Sequence, residues 1–143
     1  MWETFETTKI YQFENPKKIF FGVDAVKKVG EEAKQFGNHV FFVSDKSIEK
    51  IGLTSGATEF LERKGLKITK YAIAAREPNT ESMRSIAHSI REGKYDVVVG
   101  LGGGSVLDSA KLAAVMATNP GDVLEYCAGY GGKTVGNNTL PKI

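Results

Sequence analysis

A run of glycines between an apolar segment and an amphipathic one is the feature that points most directly to chemistry. Three valines at 97–99 are followed by Gly100, then by Gly102, Gly103 and Gly104, and residues 105–111 continue in a helical pattern. Glycines let the backbone turn tightly and approach a ligand closely. The N–H groups and the positive dipole end of a following helix favour a pyrophosphate. The segment therefore predicts a phosphate-binding loop that opens a helix.

This loop differs from two common phosphate-binding motifs. If Gly100 and Gly102 begin a G-x-G-x-x-G pattern, the third position is Ser105, and the loop follows the third predicted strand instead of the first. No Gly-Lys-Ser/Thr completes a P-loop. Ser105 and Asp108 have the spacing of a capping box, with Asp in place of Glu. A glycine-rich turn that binds nothing is the alternative interpretation, and the pattern does not identify the ligand.

Two polar residues follow the other predicted strands. Asp45 comes just after the first apolar segment, and Asn79 comes after the second. The carboxyl ends of parallel strands share one edge of a sheet, and ligands bind outside that edge. A carboxylate there can accept hydrogen bonds from an adenosine ribose and would repel a 2′-phosphate. Taken alone, Asp45 is also typical of a solvated turn or helix cap, and so is Asn79.

The elements that must position these residues alternate between strand and helix. Apolar segments at 40–43, 67–73 and 97–99 predict strands, and amphipathic stretches predict helices at about 24–36, 58–64, 80–91 and 105–118. Gly37, Gly65 and Gly93 are predicted to close helices. Strands without polar alternation indicate a sheet covered on both faces. The predicted fold class is α/β, a Rossmann-like parallel sheet flanked by helices, with an N-terminal β-hairpin formed by residues 9–13 and 18–21.

Composition narrows the class of protein. The chain has 143 residues, 41% apolar and 25% charged, which is typical of one soluble globular domain. No apolar run is long enough to span a membrane, and the N-terminus lacks a signal-peptide pattern. The chain has one cysteine, Cys127, so we expect a cytoplasmic protein without membrane contact. The net charge of +2 is spread along the chain, so no nucleic-acid partner is expected. His39 and His88 lack metal-ligand spacing, and no catalytic residue stands out.

Residues 102–111 resemble the glycine motif of the iron-containing (group III) alcohol dehydrogenases. The resemblance extends through Phe21-Gly22 and through residues 43–46, 78–80 and 117–122, and it departs at Asp24, where a glycine is common. It implies an NAD(P)-binding domain, residues 1–143, of a two-domain enzyme. The absent helical domain would hold Fe²⁺ or another divalent metal, so catalytic and metal-ligating residues are expected outside this chain.

The resemblance also implies roles for individual residues. Gly103, Gly104 and Ser105 match the pyrophosphate loop, which begins at Gly102, and Asp108 matches a residue near the nicotinamide amide. Asn79 matches a cofactor-contacting position, although the family usually has a second proline after it. Asp45 matches a position that goes with NAD when acidic and with NADP when small.

The activity implied is reversible hydride transfer between NAD(H) and a small alcohol–aldehyde pair. Two alternatives remain open: a lyase of the dehydroquinate-synthase kind and a nucleotide-binding module without catalysis. The chain by itself is expected to be inactive and to bind nucleotide weakly. Since it stops where the resemblance calls for another strand, we expect a bare sheet edge and a homo-oligomer.

The acidic residue after the first strand generates a prediction about the cofactor. The full-length enzyme should prefer NAD to NADP, and Asp45→Gly should relax that preference because it removes a carboxylate from beside the 2′-phosphate. Dissociation constants for NADH and NADPH measure the effect. A wild-type preference for NADPH of about tenfold, or about 1.4 kcal/mol, would show that Asp45 is misassigned.

Overall fold

The computed structural model describes residues 10, 12, 16–74, 78–136 and 138–143. All three strands of its sheet are parallel, in the order β2-β1-β3. Their bounds match the predicted apolar segments closely: β1 (His39–Asp45), β2 (Lys67–Ile73) and β3 (Val97–Gly100). The predicted α/β class, a parallel sheet flanked by helices, is confirmed.

Within the described residues, five α-helices and two 3-10 turns connect and flank the strands. The amphipathic stretches at 80–91 and 105–118 are helices within two residues of the predicted bounds, and the stretch at 58–64 is the end of a longer helix. The helices are α1 (Val29–Lys34), α2 (Lys46–Lys50), α3 (Leu53–Glu62), α4 (Thr80–Glu92) and α5 (Gly104–Met116), and the 3-10 turns are Ala25–Lys28 and Val123–Tyr126.

The central strand β1 sends successive side chains into two separate apolar layers. Phe41 and Val43 pack with Ile86 and Ile90 of α4 and with alanines of α5. On the opposite face, Val40 and Phe42 pack with Ala33 of α1 and with Ala57 and Leu61 of α3. Both faces of the strand are therefore apolar, which explains why its sequence shows no polar alternation.

The N-terminal part of the chain differs from the prediction. The expected helix over 24–36 is a 3-10 turn followed by the short helix α1, and Asp24 before it has φ 64°. The resemblance described above calls for a glycine at this position, and glycine adopts a left-handed φ at no steric cost. Residues 18–21, predicted to be the second strand of a β-hairpin, are not a strand, and residues 9, 11 and 13 of the first predicted strand lie outside the described residues.

The three glycines predicted to close helices have different conformations. Gly65 has φ 71° and follows the last turn after α3, as predicted. Gly37 has φ 151°, and a Cβ there would lie 2.3 Å from Cγ of Asp96. Gly93 is the C-cap of α4, as predicted, but its φ of −113° and ψ of 169° are extended and not left-handed. Its Cβ would lie 2.5 Å from the ring of Tyr95, so packing is the constraint there.

The edge of β3 away from β1 is not bare. Val98 accepts a hydrogen bond from the N–H of Ile143 at 2.9 Å and donates its own N–H to the Pro141 carbonyl at 2.9 Å. The N–H of Gly100 donates to the Ile143 carbonyl at 2.8 Å, and the pairing is parallel. Residues 141–143 therefore cover the edge that we expected to lack a partner.

A contrast between two helical glycines tests the packing of α1 against α3. A Cβ on Gly30 would lie 2.2 Å from the Phe60 carbonyl oxygen, whereas a Cβ on Gly56 would meet no atom within 4 Å among the described residues. Gly30→Ala should lower the free energy of unfolding by about 2 kcal/mol or more, because the two helices must separate. Gly56→Ala should raise it by about 0.5–1 kcal/mol through helix propensity. Urea unfolding of the chain measures both, and equal effects would contradict the close contact.

A second prediction concerns the carboxylate that joins the beginnings of β1 and β3. Oδ2 of Asp96 accepts the N–H of Asn38 at 2.7 Å and that of His39 at 2.9 Å, and these bonds lower the pKa of Asp96. The stabilisation is therefore present above the unfolded pKa of about 4 and is lost as the pH falls through the lower folded pKa. Asp96→Asn should flatten the loss of stability on acidification, while Glu59→Gln, at an exposed ion pair with Arg63, should not. Identical acid profiles for wild type and Asp96→Asn would contradict this role.

Candidate functional site

The strand order creates a gap at the carboxyl edge of the sheet. The chain leaves β1 toward β2 on one side, and β3 lies on the other side of β1. In an open α/β sheet, such a reversal of strand order leaves a crevice outside the carboxyl ends of the two strands, where ligands bind. Here the two strands are β1, which ends at Asp45, and β3, which ends at Gly100. The glycine loop that follows β3 therefore faces the residues that follow β1.

A pocket of about 410 Å³ occupies this position. Four of the residues singled out from the sequence line it together: Asp45, Gly103, Gly104 and Ser105. The sequence analysis missed its other lining residues, which are Lys46, Ser47, Ile73, Ala74 and Val106. Asp45 was the detectable signal for Ser47, because an Asp side chain commonly accepts a hydrogen bond from the backbone N–H two residues later.

The glycines of the loop serve two purposes. A Cβ on Gly100 would lie 2.9 Å from Cβ of Ala110, so this glycine lets α5 lie close to the sheet. Gly102 has φ 158°, and its Cβ would lie 2.5 Å from Val106. In contrast, a Cβ on Gly103 or Gly104 would meet no atom within 4 Å among the described residues. The fold therefore requires the first two glycines, whereas the last two leave space that a ligand can use.

Helix α5 begins directly in this open space. Its N-cap is Gly103, with φ −80° and ψ −170°, and no side chain of the described residues caps it. The predicted capping box of Ser105 and Asp108 is therefore wrong, because Ser105 already lies in the first turn. The first N–H groups of a helix have no partner within it, so the backbone here can donate to an anion.

Asp45 is the N-cap of α2, a helix of five residues that the sequence analysis did not predict. Its Oδ1 accepts hydrogen bonds from the N–H of Ser47 at 2.7 Å and from the N–H of Ile48 at 2.9 Å. The alternative interpretation of Asp45 as a helix cap is thus correct. The same residue lines the pocket, so capping and ligand contact are compatible at this position.

Asn79 is likewise a helix cap at the edge of a pocket. Its Oδ1 accepts the N–H of Ser82 at 2.8 Å, and Oγ of Ser82 accepts the N–H of Asn79 at 2.9 Å, which completes a capping box on α4. The pocket beside it has a volume of about 280 Å³ and shares Ile73 and Ala74 with the first. The two pockets therefore lie side by side along the sheet edge, and together they are called the groove.

Two predicted site residues lie away from this groove. Gly102 and Asp108 line neither pocket. The Asp108 carboxylate lies 3.1 Å from Nζ of Lys111, one turn along α5, and its side chain is 66% exposed. The structure gives Asp108 an exposed ion pair and no contact with the groove.

The other charged groups with displaced pKa values stabilise the chain beyond α5. The side-chain hydrogen bond from Arg84, at 2.7 Å, lowers the pKa of Asp122 and ties the Val123–Tyr126 turn to α4. Neither residue lines the groove.

Within the described ranges, no three His, Cys, Asp or Glu side chains are grouped closely enough to hold a metal ion. The groove is therefore lined by backbone, by neutral side chains and by the charged residues Asp45, Lys46 and Glu81.

Comparison with known proteins identifies the family. The family model described as iron-containing alcohol dehydrogenase matches residues 16–143. The chain belongs to the iron-containing alcohol dehydrogenase family. Long-chain-alcohol dehydrogenase 1 of Geobacillus thermodenitrificans is 37% identical over 90% of this chain and 33% of its own length. Sulfoacetaldehyde reductase of Bilophila wadsworthia is 39% identical over 89% of this chain and 32% of its own.

Solved structures of the family share the fold. NADH-dependent butanol dehydrogenase A from Thermotoga maritima superposes with a TM-score of 0.81 at 29% identity, covering 94% of this chain and 33% of that one. The archaeal alcohol dehydrogenase ADH/D1 from a Red Sea brine pool gives a TM-score of 0.83 at 29% identity over 94% of this chain and 35% of that one. The chain thus spans about a third of the iron-containing alcohol dehydrogenases that it matches. None of the helices in the described part of the chain has the length and apolar character needed to cross a bilayer.

Proposed function

We propose that this chain is the dinucleotide-binding domain of an enzyme that transfers hydride reversibly between NAD(H) and a small alcohol–aldehyde pair. The observation that carries the proposal is the open space at Gly103 and Gly104, located where the N-terminal end of α5 meets the pocket. Neither glycine is required by the packing of the described residues, and a phosphate needs both the space and the N–H groups. The relatives named above are dehydrogenases and a reductase, which favours hydride transfer over a lyase reaction.

The residues of the groove fit a dinucleotide in chemical type. The first N–H groups of α5 would hold the pyrophosphate, with Gly103 and Gly104 leaving room for its oxygens. The Asp45 carboxylate would accept hydrogen bonds from the adenosine ribose, which favours NAD over NADP. Asn79 would contact the cofactor from the adjoining pocket. Asp108, which lines neither pocket, would lie beyond the groove on the side of the nicotinamide. The bound cofactor supplies the hydride chemistry, and this domain positions it.

The name of a structural relative supports NAD as the cofactor. The butanol dehydrogenase of Thermotoga maritima is described as NADH-dependent. The described residues do not fit a metal site, so we assign no metal-binding role to them. We propose that Fe²⁺ or another divalent metal is bound by a part of the enzyme outside residues 1–143, and that the chain alone is inactive. Turnover of any alcohol by residues 1–143 alone would contradict the proposal that the chain needs the rest of the enzyme for activity.

The proposed compartment and assembly follow from composition and exposure. A free cysteine, Cys127, is consistent with a reducing cytoplasm. A homo-oligomer stays a prediction, which now depends on Ile19, Phe21 and Val23, whose exposed fractions are 75%, 102% and 99%. Large apolar side chains grouped at a surface are typical of interfaces. Light scattering on the purified protein gives the molecular mass, and a strictly monomeric protein would contradict this expectation.

The glycine loop generates the decisive test of the proposed function. Gly103→Val in the full-length enzyme should weaken NADH binding by at least about tenfold, because the branched side chain fills the space of a phosphate. The extended backbone at Gly103 accommodates valine, and its Cβ meets no described atom within 4 Å, so the variant should fold. Fluorescence titration with NADH measures the affinity, and Gly56→Ala, remote from the pocket, is the matched control. Unchanged NADH affinity in folded Gly103→Val would reject the phosphate-loop assignment.

A further inference from the structure

Among the described residues, a single cationic side chain lines the groove. Lys46 lines the pocket of about 410 Å³ together with Gly103 and Gly104 of the glycine loop. The other charged residues that line the groove, Asp45 and Glu81, are both carboxylates. Without Lys46, the charged side chains described in the groove would therefore all be negative.

This charge pattern opposes the binding of a dinucleotide unless Lys46 takes part in it. The pyrophosphate of a dinucleotide is doubly negative, and the backbone N–H groups at the start of a helix carry only partial positive charge. Like charges repel more strongly where water is partly excluded, so carboxylates beside the anion would weaken its binding. An ammonium in the same pocket offsets that repulsion and can donate hydrogen bonds to phosphate oxygens.

The stability of helix α2 does not explain a lysine at this position. Lys46 is the first residue of α2, directly after its N-cap. The partial positive charge at the start of a helix disfavours a cation there, whereas Lys50, in the last turn, has the favoured placement. Residues that break a local preference are expected where function requires them. Lys46 is also exposed, and its long flexible side chain can follow a ligand into the pocket.

We propose that Lys46 is a second anion-binding group of the groove, and that its ammonium binds the pyrophosphate of the cofactor. The first N–H groups of α5 bind this anion from the β3 side of the pocket, and Lys46 binds it from the β1 side. This inference rests on the proposed function, because it concerns the same pocket and the same ligand. A lysine that contacts the 2′-phosphate of NADP, or one that only neutralises Asp45, would give different results.

The experiment measures dissociation constants of NADH and NADPH for the full-length enzyme and its variants by fluorescence titration. Lys46→Gln should weaken the binding of both nucleotides about fivefold or more, because both carry the pyrophosphate and both lose a charge-assisted hydrogen bond. Lys46→Arg keeps the positive charge and should retain most of the wild-type affinity. Lys50→Gln is the matched control, since it removes the same charge from the same helix and Lys50 lines neither pocket.

Three further measurements separate an ion pair from a structural effect. The loss caused by Lys46→Gln should shrink as the salt concentration rises, because dissolved ions screen an exposed pair of charges. The loss should persist in an Asp45→Asn background, where the Asp45 carboxylate is gone. Thermal unfolding should show Lys46→Gln to be at least as stable as the wild type, since a cation at the start of α2 is unfavourable for the helix.

The inference is overturned if folded Lys46→Gln keeps the wild-type affinity for NADH or if NADPH binding weakens more than NADH binding. It is also overturned if the loss is independent of salt or disappears in Asp45→Asn. Each of these results leaves the binding of NADH by the wild-type enzyme, and with it the proposed function, intact. Failure of the wild-type enzyme to bind either nucleotide would instead reject the proposed function and this inference with it.

Discussion

The burial of β1 is the constraint on which the rest of the structure depends. Residues 40–44 are buried without interruption, with side chains in both apolar layers and a parallel strand on each edge. Such a strand is open to a ligand only at its carboxyl end, where the segments that follow β1 and β3 diverge. The hydrophobic core therefore sets the position of the pocket. The polar residues at the carboxyl end of β1 determine only what the pocket can bind.

The elements with long apolar patterns were predictable from the sequence, and their arrangement was not. Apolar segments identified β1, β2 and β3, and amphipathic stretches identified α4 and α5. Helix α2 has five residues, too few to show a helical period, although Asp45 at its N-cap and Ser47 in its first turn mark it in retrospect. The order of the strands depends on long-range packing, which the sequence pattern does not reveal. Only the structure therefore shows that Asp45 and Gly103 line the same pocket.

The errors within the candidate site have local physical causes. Ser105 and Asp108 have capping-box spacing, yet α5 starts one residue before Ser105 because glycine can occupy the cap without a side chain. Asp45 and Asn79 fitted two interpretations, cap and ligand contact, and both residues are caps that also line the groove. A capping bond restricts the side-chain rotamer, and a restricted rotamer is what a binding site requires of its polar groups. The two interpretations were never exclusive.

The pairing of residues 141–143 with β3 has a consequence for synthesis on the ribosome. On one edge, β3 pairs with β1, which is synthesised before it. On the other edge it pairs with Lys142 and its neighbours, which are synthesised much later. During that interval, on the order of seconds at usual elongation rates, the nascent chain presents a complete apolar strand with one unpaired edge. Such an edge is a template for association with other chains. Helix α5 and the segment after it therefore have to fold over the sheet while the nascent protein is at its most vulnerable to chaperone capture and aggregation.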